Sequence, residues 1–86
     1  MSFRIDHECK QTCVVLRLQG RLLGWDAERL LREEIVHAAA SGVEVVLDAS
    51  ELTALDAGCL SAIESGLAER LVLGDGGAYL KAMLRR

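Results

Sequence analysis

The chain has 86 residues, 51% of them apolar and three aromatic, so residues 1–86 are expected to form one small domain with an aliphatic core. The net charge of −3 is spread over interspersed acids and bases, which, with so few aromatic residues, argues against a nucleic-acid-binding surface. No apolar run reaches the roughly 18 residues of a membrane span, and the charged start MSFRIDHE lacks the apolar stretch of a signal peptide, so a cytoplasmic protein is predicted.

A β-hairpin is predicted at the N-terminal end. The segment that begins at Phe3 alternates apolar and polar residues, and a polar turn follows at residues 10–12. The run CVVLRLQG then places Val14, Leu16 and Leu18 on one face. Two antiparallel strands joined by a short turn explain both patterns.

A helix is predicted from Trp25 or Asp26, because apolar residues recur at spacings of three and four from there to Ala38. Asp26 is placed to cap the start of this helix, and Ser41-Gly42 to end it. Trp25 has two interpretations. We favour a side chain that packs the helix against the sheet over an exposed anchor for a partner.

A central strand is predicted at residues 43–47, which are too short and too rich in β-branched side chains for a helix. They are apolar on both faces apart from Glu44, as expected for a strand that is covered on both sides. Asp48 is predicted to end this strand.

A second helix is predicted from Ala57, with Asp56 as its capping residue. Such a cap is a purely structural role, and it is compatible with an additional role in binding a partner. The apolar stripe of this helix consists of Cys59, Leu60, Ile63 and Leu67.

The C-terminal residues allow two interpretations. In the first, Leu71–Leu73 form a short strand, residues 74–77 a loop and residues 78–86 a helix. In the second, residues 78–83 form the last strand and the second helix extends to Leu73. The first gives the order ββαβαβα, which predicts an α/β fold with a small mixed four-stranded sheet packed with helices.

The three cysteines, Cys9, Cys13 and Cys59, are an odd number without the spacing of a disulfide framework, so we expect reduced thiols. A three-residue turn would bring Cys9 and Cys13 opposite each other near His7, but a metal site there lacks a Cys-x-x-Cys pair and a fourth ligand. Cys59 fits a small buried apolar residue better than a nucleophile. We therefore expect no metal and no cofactor.

Four features in order carry a resemblance to a known family. They are the strand VVLRLQG followed by RL, the helix that begins near Trp25, the strand VVLD followed by Ser50 and Leu52, and Leu55-Asp56 followed by Leu60. On these residues the chain resembles the STAS domain, the fold of bacterial anti-sigma factor antagonists. The resemblance covers nearly the whole chain and implies a final helix after the glycine-rich loop.

Family members that act as switches carry Asp-Ser-Ser-Gly-Leu at the strand-to-helix turn, and a partner kinase phosphorylates the first serine. The corresponding residues here are Asp56, Ala57, Gly58, Cys59 and Leu60. The resemblance therefore implies that Ala57 occupies the phosphoacceptor position and cannot be phosphorylated.

The resemblance implies a non-enzymatic protein-interaction module in signalling or transcription regulation. Its partner would be an anti-sigma factor with a histidine-kinase-like ATPase fold or a multi-protein regulatory assembly, and homo-oligomers are compatible with this role. The partner-binding surface is expected to centre on the strand-to-helix turn. Its predicted residues are Glu51, Thr53, Asp56, Ala57, Gly58 and Ser61, joined by Gly24 and Trp25.

Two other functions remain open from the sequence. STAS domains also serve as cytoplasmic subunits of lipid-transporting ABC systems, where they bind the ATPase. An enzyme or nucleotide-binding protein would use Asp56 and the loop Gly74–Gly77, but that loop lacks the Lys-Ser/Thr of a P-loop. No set of acid, base and nucleophile can be assembled from the sequence for this last hypothesis.

Overall fold

The computed structural model describes residues 3–69 and 71–84. The predicted order ββαβαβα is confirmed, and so is the helical interpretation of the C-terminal residues, whereas a strand at residues 78–83 is wrong. Arg85 and Arg86, which we predicted at the end of the last helix, lie outside the described residues. The elements are β1 (Phe3–Cys9), β2 (Cys13–Leu22), α1 (Trp25–Ala39), β3 (Glu44–Leu55), α2 (Ala57–Leu67), β4 (Leu71–Leu73) and α3 (Gly77–Leu84).

The four strands form one mixed sheet in the order β1-β2-β3-β4, as expected. The hairpin pairs β1 with β2 in antiparallel register from Phe3 and Gly20 to Cys9 and Val14. The pairs β2–β3 and β3–β4 are parallel, so each needs a crossover, and α1 and α2 supply these. β3 is thus a central strand with a parallel neighbour on each side.

The aliphatic core lies between the sheet and the helices. Buried residues of all three helices belong to the same cluster as the inward-facing residues of β2 and β3, so the described helices cover one face of the sheet. The most deeply buried large side chains in this cluster are Leu16, Leu18, Leu22, Leu31, Leu47, Ile63 and Leu80. No helix in the described part of the chain is long and apolar enough to cross a membrane.

The prediction that Asp48 ends the third strand is wrong, because β3 continues to Leu55. β3 contains two bulges relative to β2. Arg17 and Gln19 of β2 pair with Asp48 and Glu51, so β3 has one extra residue between these pairs. A second extra residue of β3 lies before Ala54. Each bulge adds a residue to β3 and restores its apolar residues to the core face. The core positions of β3 are Val45, Leu47, Ala49, Leu52 and Leu55.

The start of α1 also differs from the prediction. Gly24 occupies the N-cap position, so no side chain caps the helix, and Asp26 lies within the first turn. Trp25 is 71% exposed, with the guanidinium of Arg29 5.2 Å from the centre of its ring. The interpretation of Trp25 as a residue that packs α1 against the sheet is therefore wrong.

The cysteines are free thiols in the structure. The expectation that Cys9 and Cys13 lie opposite each other is not met, because Cys9 pairs with Val14 and the side chains of Cys9 and Cys13 thus point to opposite faces. Within residues 3–69 and 71–84, no three His, Cys, Asp or Glu side chains are grouped in a way that could hold a metal ion.

Candidate functional site

Two strand-to-helix turns meet at one end of the sheet. β2 ends at Leu22 just before α1, and β3 ends at Leu55 just before α2. Because β2 and β3 are parallel and these two residues are register partners, the turns lie side by side. The backbone N–H of Asp56 donates to the carbonyl of Leu22 at 3.2 Å, which joins the second turn to the first.

The carboxylate of Asp56 completes this junction. Its Oδ1 accepts from the backbone N–H of Cys59 at 2.9 Å, which confirms Asp56 as the cap of α2. Its Oδ2 accepts from the backbone N–H of Gly24 at 2.6 Å. The N–H of Gly24, followed by that of Cys59, lowers the pKa of Asp56, so the carboxylate is charged at neutral pH.

Glu28 of α1 lies against the first turn of α2. Its Oε1 lies so close to Gly58 that a Cβ at position 58 would contact it. Its other oxygen, Oε2, accepts from Nε of Arg32 at 3.1 Å. A side chain at position 58 would therefore displace the carboxylate of Glu28 from the start of α2.

The solvent side of the two turns carries small and apolar side chains. Ala57 and Ser61 are exposed on α2, Trp25 is exposed at the start of α1, and Leu23 before it is 41% exposed. Leu23 was not predicted from the sequence, although it directly follows the buried Leu22 and lies outside the inward alternation of β2, which indicates an exposed apolar residue. Glu28 was missed because only a contact between helices reveals it.

The eight predicted site residues fall into two groups. Glu51 and Thr53 are exposed but lie on β3 before the turn, and Glu51 accepts from Nε2 of Gln19 at 3.4 Å on the neighbouring strand. The other six are at or beside the junction. They are Gly24, Trp25, Asp56, Ala57, Gly58 and Ser61.

The junction offers little for covalent chemistry. Cys59 is fully buried, and burial, with a further contribution from Asp56, raises the pKa of its thiol to about 12. Such a thiol is protonated and shielded at neutral pH. Since the carboxylate of Asp56 already accepts two backbone N–H groups, it is suited to hold the turns in place.

The loop Gly74–Gly77 is packed onto β3. The N–H of Gly74 donates to the carbonyl of Leu47 at 2.8 Å, and the N–H of Ala49 donates to the carbonyl of Asp75 at 2.7 Å. The N–H of Gly77 donates back to Gly74 at 3.2 Å. The N–H groups of Gly74 and Gly77 are therefore already bonded and do not form an open cradle for phosphate.

Comparison with known families gives a match over nearly the whole chain. The family model described as "Mlab, STAS domain" matches residues 5–84 of the chain. This range includes all or most of each of the seven helices and strands. No curated protein matches the chain.

Proposed function

The chain belongs to the STAS family, and from that premise we propose that it is a non-enzymatic protein-interaction module that binds its partner through the junction of the two turns. The proposed docking surface comprises the six junction residues and Leu23, with Glu51 and Thr53 on its strand side. The family match supports an interaction module in general. The residues of the surface are those predicted from the family resemblance together with Leu23, and the exposure of Trp25 and Leu23 beside the junction supports this choice.

The observation that carries this proposal is the exposure of Trp25, 71%, beside a turn that hydrogen bonds hold in place. Covering a large apolar side chain with a partner removes apolar surface from water and stabilises the complex. Tryptophan is among the residues that contribute most to binding free energy at protein interfaces. The small, exposed side chain of Ala57 allows the backbone of a partner to approach the start of α2. A fixed turn also keeps the entropy cost of binding low.

The alanine at position 57 supports a constitutive form of this function. A kinase that phosphorylates serine at this position in other family members cannot modify Ala57, which has no hydroxyl. The module therefore stays unphosphorylated there and competent to bind. An anti-sigma factor with a histidine-kinase-like ATPase fold is the first candidate partner, in line with the family resemblance.

The same alanine favours a second candidate, a STAS-type subunit of a lipid-transporting ABC system. A subunit that stays on its ATPase has no need of a switch by phosphorylation, and Ala57 provides none. Both candidates use an ATPase as the partner but belong to different assemblies.

Titration of both candidate ATPases from the native host against purified wild-type protein tests the proposal and separates the two candidates. The variant Ala57→Asp places a second negative charge beside Asp56 and should weaken binding by about 1 to 3 kcal/mol through repulsion and desolvation. The control Ala78→Asp makes the same change at an exposed position in the first turn of α3. Circular dichroism shows whether each variant is folded, and unchanged affinity of a folded Ala57→Asp variant would refute the proposed surface.

A further inference from the structure

A row of valines crosses the face of the sheet opposite the core. Val15 of β2 is the register partner of Val46 of β3, which in turn partners Val72 of β4. Val15 is buried but lies outside the core cluster, and Val72 is 43% exposed. A depression of about 270 Å³ beside Val15 and Val46 is also lined by Cys13 and Gly74.

No helix within residues 3–69 and 71–84 covers this valine row, although Gly74 of the loop after β4 lies against Val46. The three helices pack on the core side, as their shared cluster shows. Parallel strands in proteins are usually covered on both faces, because their side chains are apolar on both. Val72 and part of Val46 are therefore accessible apolar surface on this side of the sheet, whereas Val15 is only 8% exposed at the edge of the depression.

The residues around the valine row give this open face an excess of negative charge. Two arginines are already paired with acids: Arg4 Nε lies 2.9 Å from Asp6, and Arg17 lies 2.9 Å from Glu8 and 3.2 Å from Asp48. Six acidic and four basic side chains share the face by strand alternation or by lining the depression, an excess of two acids. They are Asp6, Glu8, Glu44, Asp48, Glu51 and Asp75, against Arg4, Lys10, Arg17 and Arg21.

The excess of negative charge determines which binding partner fits the open face of the sheet. A second copy of the chain that offered the same face would bring two acidic surfaces together, and like charges at an interface oppose binding. Anionic lipid and nucleic acid are disfavoured for the same reason. A partner that combines an apolar stripe with lysine or arginine side chains matches both the valine row and its acidic surroundings.

The dimensions of the valine row match a helix laid across the strands. Neighbouring strands lie about 4.8 Å apart, so the row spans about 10 Å from Val15 to Val72. A helix advances about 10.5 Å over seven residues, so apolar side chains at positions i, i+3 or i+4, and i+7 meet the three valines in turn. Basic residues beside that stripe reach toward Glu44 and Asp75.

From these observations we propose that the open face of the sheet binds a basic amphipathic helix of a partner protein. This site is separate from the docking surface at the junction and does not depend on it. The full chain would therefore have two interaction surfaces, one at the end of the sheet and one on its face.

Amide chemical-shift mapping of the full chain with synthetic helices tests the proposal. The probe is a helix of about 18 residues with leucines at i, i+3, i+4 and i+7 and lysines elsewhere. One control replaces lysine by glutamate, and the other replaces leucine by serine. We expect shifts at Val15, Val46 and Val72 with the Leu/Lys helix and none with either control.

Two variants and a matched control locate the contact. Val72→Lys puts a charge on the valine row, and Glu44→Lys removes an exposed acid next to it. Each should weaken binding of the Leu/Lys helix by about tenfold. Val36→Lys makes the first change on α1, where Val36 is 69% exposed, and should leave binding unchanged.

Several results would overturn this site. They are shifts that cluster in the groove between α1 and α2 around Ile35 and Ala62, equal binding of the Leu/Glu helix, or no binding of the Leu/Lys helix. Shifts at the valines that depend on protein concentration without peptide would show that a second copy occupies the face. Loss of ATPase binding in Ala57→Asp would leave the outcome of this experiment unaffected.

Discussion

The carboxylate of Asp56 accepts a hydrogen bond of 2.6 Å from the backbone N–H of Gly24, 32 residues earlier in the chain. This bond joins the starts of α1 and α2. The second oxygen of Asp56 caps α2, so one carboxylate serves α1 and α2 together. The position of Trp25, directly after Gly24, therefore depends on Asp56.

Loss of this carboxylate should destabilise the fold. Asp56→Ala removes a helix cap, worth about 0.5 to 2 kcal/mol, and the hydrogen bond to the exposed N–H of Gly24, so we expect a loss of about 1 to 3 kcal/mol. Asp56→Asn keeps one acceptor oxygen and should lose about 1 kcal/mol. Urea unfolding of the three proteins measures this order, and equal stabilities would show that the junction contributes nothing to the fold.

The same residue makes stability depend on pH. The pKa of Asp56 is lowered by the N–H of Gly24 and then by that of Cys59, so between the folded and unfolded pKa values the unfolded chain binds more protons. The stabilisation from Asp56 is present above the unfolded value, about 3.9, and is lost as the pH falls through the lower, folded value.

Urea unfolding at several pH values from neutral to acid tests this. The difference in unfolding free energy between wild type and Asp56→Asn should be largest near pH 7 and should shrink below about pH 4. A difference that stays constant over this range would contradict the role of the charged carboxylate.

Asp48 adds to the acid sensitivity of both proteins equally. Burial alone would raise its pKa, but the hydroxyl and N–H of Ser50 and the guanidinium of Arg17 bring that pKa below its ordinary value.

The three thiols should differ in reactivity. Burial, followed by Asp56, raises the pKa of Cys59 to about 12, so iodoacetamide at pH about 8 should spare it in the folded protein. Cys9 is exposed and should react first. Mass spectrometry after timed labelling, with a urea-unfolded control in which all three react, checks this order. Labelling of Cys59 as fast as Cys9 would mean that α2 opens readily.

Two glycines with nearly the same positive φ provide a matched test of packing. Gly42 has φ 80° and Gly76 has φ 77°, but a Cβ at position 42 meets nothing within 4 Å, whereas one at 76 would collide with the backbone of Ala49 and Ser50. Gly42→Ala should cost about 1 to 2 kcal/mol from the left-handed conformation alone. Gly76→Ala should cost at least about 2 kcal/mol more, because backbone atoms must move.

Thermal unfolding of the two glycine variants measures the difference. If both variants lose the same stability, the loop Gly74–Gly77 is not packed against β3 as the structure has it.

Local patterns predicted much of the fold. The hairpin, α2 with its cap and the final helix follow from alternation, helical spacing and a capping aspartate, which involve neighbouring residues only. The second half of β3 was missed because the residues after Leu47 break the alternation of a strand. Pairing with β2 holds these residues extended, and two bulges bring their apolar side chains back to the core.

The candidate site was predictable to a similar extent. Asp56 was predicted because its role as a cap is local. The direction in which Trp25 points was not, because helical spacing alone does not show whether the first residue of a helix faces a neighbour. The contact of Glu28 with Gly58 depends on how α1 and α2 pack, which no short stretch of sequence determines.

The order of the strands in the sheet is the order of the strands in the chain. Each new strand can therefore dock beside the one before it, and the sheet can grow from the hairpin outward with only one helix to close at each step. β4, with three residues, is added last and can detach at the edge without breaking the pairing of the other three strands. The N-terminal half can thus begin to fold while the rest of the chain is still being synthesised.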